Sequence, residues 1–254
     1  MDCGRPIPRD RRGSSREVHR RPRKCRHRWL CPTCAYSLAG ERAKLLKRRL
    51  GDWISHGGAV ALLTLTQEHD VADDLDVLWD RIEDGWDALV TGTGWRANRI
   101  HFGISGYVRV TEIVHAPQTG WNVHFHCVLF LAHHLDPNSL QALMDSLFRR
   151  YERGIARSGG RAGRYAQDLV LFERTELRHL AEYVFKGTTS YRKTGSRSPI
   201  AILDDLETIG EGIELWEEYV AASHGRRQVS PSNGLNELCG VVDDGGLRWA
   251  ARGS

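Results

Sequence analysis

Residues 121–131 (WNVHFHCVLFL) constrain the chain more than any other stretch. They are dense in aromatic and β-branched side chains, the composition of a strand half-buried in a sheet. Side chains alternate faces along a strand. His124 and His126 therefore share one face, while Val123, Phe125 and Cys127 point to the other, into a core. Two imidazoles on one face at this spacing are able to share a metal ion. The alternative is a pair of ordinary polar histidines on a half-exposed strand.

The run before it, residues 106–115 (GYVRVTEIVH), also reads as a strand. Between the two, Ala116-Pro117-Gln118-Thr119-Gly120 has the residues of a hairpin turn. A turn centred on Gln118 puts Glu112 opposite His124 on the histidine face; a slip of one residue would turn it away. Two nitrogens and a carboxylate, His124, His126 and Glu112, suit Mn²⁺, Mg²⁺ or Zn²⁺.

Charge divides the chain. Its net charge of +4 is the balance of a basic start and an acidic remainder. Residues 1–50 carry sixteen Lys and Arg against four Asp and Glu; the rest carries twenty against twenty-eight. A polyanion partner is expected at the basic end, or else a solvated tail over residues 5–24. No apolar run approaches a membrane span and the arginine-rich start has no apolar signal core, so a cytoplasmic protein without membrane contact is expected. In that compartment six cysteines point to thiols or metal. Cys31-Pro-Thr-Cys34 is half of a zinc-site pattern, completed by Cys25 and by Cys3, for which His27 could substitute. Cys127 and Cys239 stand alone and read as core residues.

Periodicity supplies the rest. Residues 37–56 and 72–92 read as amphipathic helices, the second with Trp79 and Trp86 on its apolar side. Residues 58–66 read as a strand ending in Thr64-Leu65-Thr66, and residues 168–173 as a short strand. Asp136 is placed to cap a helix reaching about Ile155, followed by a flexible basic linker over 154–164. Residues 176–187 have an apolar stripe at Leu177, Leu180, Ala181 and Val184, with Gly187 as the expected C-cap. Glu176, His179, Tyr183 and Lys186 share an adjoining face, a catalytic constellation or simply a boundary tyrosine among solvated charges. Residues 204–224 read as one acidic helix, and residues 225–254, opening on Gly225-Arg226-Arg227-Gln228, as irregular.

The order of these pieces resembles that of rolling-circle plasmid replication initiators within the HUH endonuclease superfamily, above all the Rep proteins of Gram-positive, especially actinobacterial, plasmids. Leu63-Thr64-Leu65-Thr66 is similar to the family's first motif. Gly120-Trp121-Asn122-Val123-His124-Phe125-His126 resembles the second, the metal strand. Ala181-Glu182-Tyr183-Val184-Phe185-Lys186-Gly187 resembles the third, with its nucleophilic tyrosine and a lysine three residues on.

The resemblance implies an α+β fold, a five-stranded antiparallel sheet of the ferredoxin-like or RNA-recognition type. It implies a Mn or Mg ion at the histidines, and Tyr183 attacking the scissile phosphate to leave a 5′-phosphotyrosine and a free 3′-OH. Thr64, Thr66, Arg226 and Arg227 become candidate DNA contacts, and a structural zinc is expected at the cysteines. The expected partners are plasmid origin DNA, single-stranded or cruciform, host helicase and polymerase, and a second copy of the chain as a homodimer. Relatives often carry a glutamate four residues before the tyrosine, as base for the terminating cleavage; here His179 stands there, and Glu176 lies a turn earlier. The expected division is a basic Cys-rich segment over 1–36, a nuclease domain over 37–200, and a C-terminal helix and tail over 201–254. A relaxase or transposase of the same superfamily, and a non-catalytic zinc-containing DNA-binding protein, are the alternative readings.

Overall fold

The computed structural model describes residues 29–193, 195–233 and 235. The elements run in the order α1 (Pro32–Ser55), β1 (Ala59–Leu65), α2 (Leu75–Val90), α3 (Gly92–His101), β2 (Ile104–Ala116), β3 (Gly120–Leu131), α4 (Pro137–Arg157), β4 (Asp168–Phe172), α5 (Leu177–Phe185), β5 (Arg192–Lys193), β6 (Ser196–Arg197), α6 (Pro199–Ile209), α7 (Ile213–Ser223) and β7 (Val229–Pro231). All strand pairings are antiparallel, in the order β4-β1-β3-β2-β6-β5, with β7 also on β2. This is the expected α+β class, with seven strands in place of five. The additions β5, β6 and β7 are two or three residues long, too short to announce themselves by alternation.

Alternation along β1, β2 and β3 builds two cores, one on each sheet face. Ala61, Leu63 and Leu65 of β1 and Phe125, Cys127 and Leu129 of β3 pack on Trp79, Ile82 and Trp86 of α2 and on Leu143, Leu147 and Tyr151 of α4. Val60, Leu62, Val108, Val110, Val128 and Phe130 form the opposite face, covered by Leu46 and Leu50 of α1 and by the α5 stripe Leu177, Leu180, Ala181 and Val184. Each buried leucine of that stripe contributes about 2 kcal/mol of hydrophobic stabilisation. The α5 stripe thus lies over the sheet face that carries the histidines.

Local signals act where expected. Asp136 caps α4, its carboxylate accepting from the Asn138 and Ser139 amides. The β2–β3 register pairs Glu112 with His124 across a turn centred on Gln118. Gly120 is required there twice over. Its φ is +73°, and a Cβ would stand 2.7 Å from the Asp70 carbonyl oxygen.

Four expectations are corrected. The single acidic helix over 204–224 is two helices, α6 and α7, broken where Gly210 and Gly212 adopt φ of +73° and +90°. Residues 229–231, read as irregular, add a strand to β2. The basic linker is not flexible throughout: residues 154–157 finish α4, and the Arg161 carbonyl accepts from the Glu68 amide. Gly187 is not a helix C-cap; it lies in the 3-10 turn Lys186–Thr188 that follows α5. Cys127 is fully buried as expected, and burial pushes its thiol pKa far up. No helix among the described residues is long and apolar enough to cross a membrane.

Candidate active site

The histidine face of the sheet opens, at the ends of β1, β2 and β3, into a cavity of about 300 Å³. Thr64, Glu112, Asn122, His124, His126, Tyr183, Lys186, Tyr191, Lys193 and Ser196 are among its lining residues. The cavity forms because the polar residues of this face begin where its apolar core ends: Leu62 gives way to Thr64, Val110 to Glu112 and Val128 to His126.

Glu112 and His126 are both almost fully buried and meet at 2.5 Å, Oε2 to Nε2. Burial opposes ionisation of Glu112. The hydrogen bond from His126, with the fields of His126, Lys186 and His124, outweighs it and holds the carboxyl below its ordinary value. An ionised carboxylate only accepts, so His126 Nε2 carries the proton. Its Nδ1 is then free to accept from Thr64 Oγ1 at 3.3 Å. The His124 ring lies 6.3 Å from that of His126, nearly parallel, which confirms the shared face. Burial depresses the His124 pKa to about 4, and its Nδ1 is buried without a hydrogen-bond partner.

Helix α5 brings in the other half. Tyr183, on the border of the buried stripe, is 42% exposed, so an incoming substrate can reach it. Its ring stands edge-on to His126, with centroids 5.0 Å apart. Lys186 Nζ lies 3.7 Å from the Tyr183 ring centroid and 3.8 Å from Glu112 Oε1. The helical spacing i, i+3 places Tyr183 and Lys186 side by side, and the docking of α5 sets Lys186 against Glu112 and Tyr183 against His126.

Other expected residues lie elsewhere. His179 is exposed one turn before Tyr183 and does not line the cavity. Glu176 is engaged at the start of α5, its Oε2 accepting from the Glu173 amide at 2.8 Å. Thr66 is held in place: Gln167 bonds its amide and carbonyl, Tyr151 donates to the same carbonyl, and its hydroxyl donates to Asn122 Oδ1. Arg226 is paired with Asp80 at 2.7 Å, packs over Trp79, and borders a cleft with Asp74, Asp76 and Glu218. Arg227 is exposed, and its carbonyl accepts from Thr111 Oγ1 at 3.4 Å. Cys31 caps the start of α1 and Cys34 lies in its first turn, both buried. Cys3, Cys25 and His27 fall outside the described residues, as does Cys239.

Among the described residues no group of three or more His, Cys, Asp and Glu is already drawn together as metal ligands are. The donor types nevertheless fit a divalent cation: an ionised carboxylate, a neutral imidazole with an orphaned buried nitrogen, and a second imidazole whose proton an ion would replace. Tyr191, Lys193 and Ser196 were not anticipated. Lys193 and Ser196 sit on strands of two residues and Tyr191 directly before the first of them, where no periodic signal exists.

Residues 16–139 match the model of a replication protein family. "Protein rep" of Streptomyces lividans is 22% identical, over 88% of this chain and 64% of that protein. A protein of Streptomyces cyanogenus named neomycin resistance protein is 25% identical, over 42% of this chain and 30% of its own. The chain thus spans less than two thirds of the length of either relative. No solved structure matches. The match to a replication protein family and the similarity to the Streptomyces "Protein rep" point the same way as the ordered motifs.

Proposed function

We propose that the chain is a plasmid replication initiator that nicks and rejoins single-stranded DNA at a double-strand origin through a 5′-phosphotyrosine at Tyr183. The observation that carries this reading is the convergence of Tyr183, Lys186, Glu112 and His126 on one open cavity in a chain whose residues 16–139 match a replication protein family. The Tyr183 hydroxyl attacks the scissile phosphorus, the bond to the 3′ oxygen breaks, the phenol gives its proton to solvent at the open mouth, and the leaving 3′ oxygen takes one proton up from the same solvent. The freed 3′-OH primes leading-strand synthesis by the host polymerase behind a host helicase, and in reverse it attacks the phosphotyrosine and reseals the strand. Lys186 places positive charge beside the phenol and over the position that the phosphate must take. His124, His126 and Glu112 would hold Mn²⁺ or Mg²⁺, which when bound supplies Lewis-acid polarisation of the phosphate. Cys31 and Cys34, with Cys25 and Cys3, would hold a structural zinc ahead of a nuclease body over 37–200.

One observation favours a second reading, a non-catalytic DNA-binding protein. Sixteen of the chain's Lys and Arg lie in residues 1–50, a charge that binds a polyanion without any cleavage chemistry. Covalent trapping separates the two. The protein is incubated with labelled single-stranded origin DNA, with Mn²⁺ or with EDTA, and resolved under denaturing conditions. A metal-dependent adduct that disappears in Tyr183→Phe is expected. Absence of an adduct on DNA that the protein binds would favour the second reading.

A further inference from the structure

One wall of the cavity is a hairpin to which the nicking chemistry assigns no part. Residues 191–193 and 195–198 lie antiparallel, with Arg192 opposite Arg197 and Lys193 opposite Ser196. Alternation sends these two cross-strand pairs to opposite faces. On the outer face both guanidiniums bind Asp205 of α6. Arg192 does so at 2.7 and 3.0 Å and Arg197 at 2.5 Å. Two arginines directly opposite each other repel, and Asp205 between them turns that repulsion into a tie. At the base, the Tyr191 amide donates to Ser198 Oγ, the Ser198 amide to the Tyr191 carbonyl, and Ser198 Oγ to the Thr189 carbonyl. Ser198 is fully buried. The hairpin is therefore a fixed wall, held from outside and below.

The inner face presents Lys193, Ser196 and the Tyr191 ring to the cavity. Lys193 is exposed and pairs with no carboxylate among the described residues, whereas Arg192 and Arg197 are both tied to Asp205. The Tyr191 ring centroid lies 5.1 Å from Lys186 Nζ, so this face adjoins Tyr183 through a shared ammonium. An aromatic face, an ammonium with no carboxylate partner among the described residues, and a hydroxyl lining one cavity are the groups that grip one unpaired nucleotide.

We propose that the inner face of the 191–198 hairpin is a subsite for the nucleotide next to the scissile phosphate. Tyr191 stacks on its base, Lys193 and Ser196 bind its phosphate, and Asp205 acts as a positioning residue by fixing the hairpin. The inference rests on the cavity being where a DNA strand binds. A paired base hides its face in the stack, so the subsite selects single strands.

The test is fluorescence anisotropy with a labelled single-stranded oligonucleotide and its duplex, in the Tyr183→Phe background so that the strand stays intact. Tyr191→Leu is expected to weaken single-strand binding about tenfold, and Tyr191→Phe, which keeps the stacking face, to leave it nearly unchanged. Lys193→Ala should flatten the salt dependence of single-strand binding by about 0.7 in log–log slope, the share of one phosphate. Asp205→Asn should raise KM for nicking in otherwise wild-type protein far more than it lowers kcat. Circular dichroism checks folding, and should Tyr191→Leu unfold, Lys193→Ala and Asp205→Asn carry the test. Parental affinity and salt slope in the variants, or equal losses on duplex, would overturn the subsite. Loss of single-strand affinity in a protein that never forms an adduct would sink the nicking reading and leave the subsite standing.

Discussion

Gly187 lies flat against Glu112: a Cβ added at Gly187 would stand 2.5 Å from Glu112 Cγ and 2.8 Å from Oε1. Gly187 is absent from the positive-φ glycines, so the residue is there for space and not for conformation. Gly187→Ala should push the carboxylate away from His126. The overpacking would cost about 1–3 kcal/mol of stability. The nicking rate should fall further than the loss of folded protein accounts for, which urea titration and a nicking assay on the same preparation would show.

Lys186 touches both the nucleophile ring and Glu112. Lys186→Met should lower the nicking rate about 100-fold, the scale of removing one preorganised charge from a reacting phosphate. Single-strand affinity should change much less, as parallel rate and binding titrations would show.

A cation at His124, His126 and Glu112 must replace the proton between Glu112 and His126. Mn²⁺ affinity should therefore fall as pH falls, with net proton release on binding. Calorimetry in two buffers of different ionisation enthalpy measures that release directly. Glu112→Gln should bind Mn²⁺ more weakly.

Stability should also decline in acid. Unfolded His124 takes a proton near its ordinary pKa of 6.5, whereas the folded side chain, depressed to about 4 by burial, resists protonation. Between these values the unfolded state binds more protons, so stability falls as pH drops through the window. Glu112, held below its ordinary value, adds a further loss at lower pH, and His115, also depressed, acts in the same sense as His124. Urea midpoints across this range should show a shallower decline in His124→Gln.

Gly120→Ala tests the β2–β3 turn. A left-handed backbone and a 2.7 Å approach to the Asp70 carbonyl both penalise a side chain there. A loss of about 1–3 kcal/mol is expected, measured by thermal or urea unfolding.

The features written in local chemistry were legible without coordinates. Period-two alternation fixed the common face of His124 and His126. The turn residues placed Glu112 opposite His124, and the Asp136 cap and the α5 stripe followed from spacing alone. These depend on neighbours in sequence, and backbone geometry leaves them few alternatives. Tertiary structure decided everything that depends on which surfaces meet. It docked α5 so that Tyr183 meets His126 and Lys186 meets Glu112, and it made Gly187 a close-approach residue where local rules read a C-cap. It turned Arg226 toward Asp80, added β7 to β2, and tied Arg192 and Arg197 to Asp205 so that Lys193 and Tyr191 line the cavity. Most of these contacts join segments far apart along the chain, and elements of two or three residues carry no periodicity to forecast them, so only the packing of the whole sheet and its helices selects them.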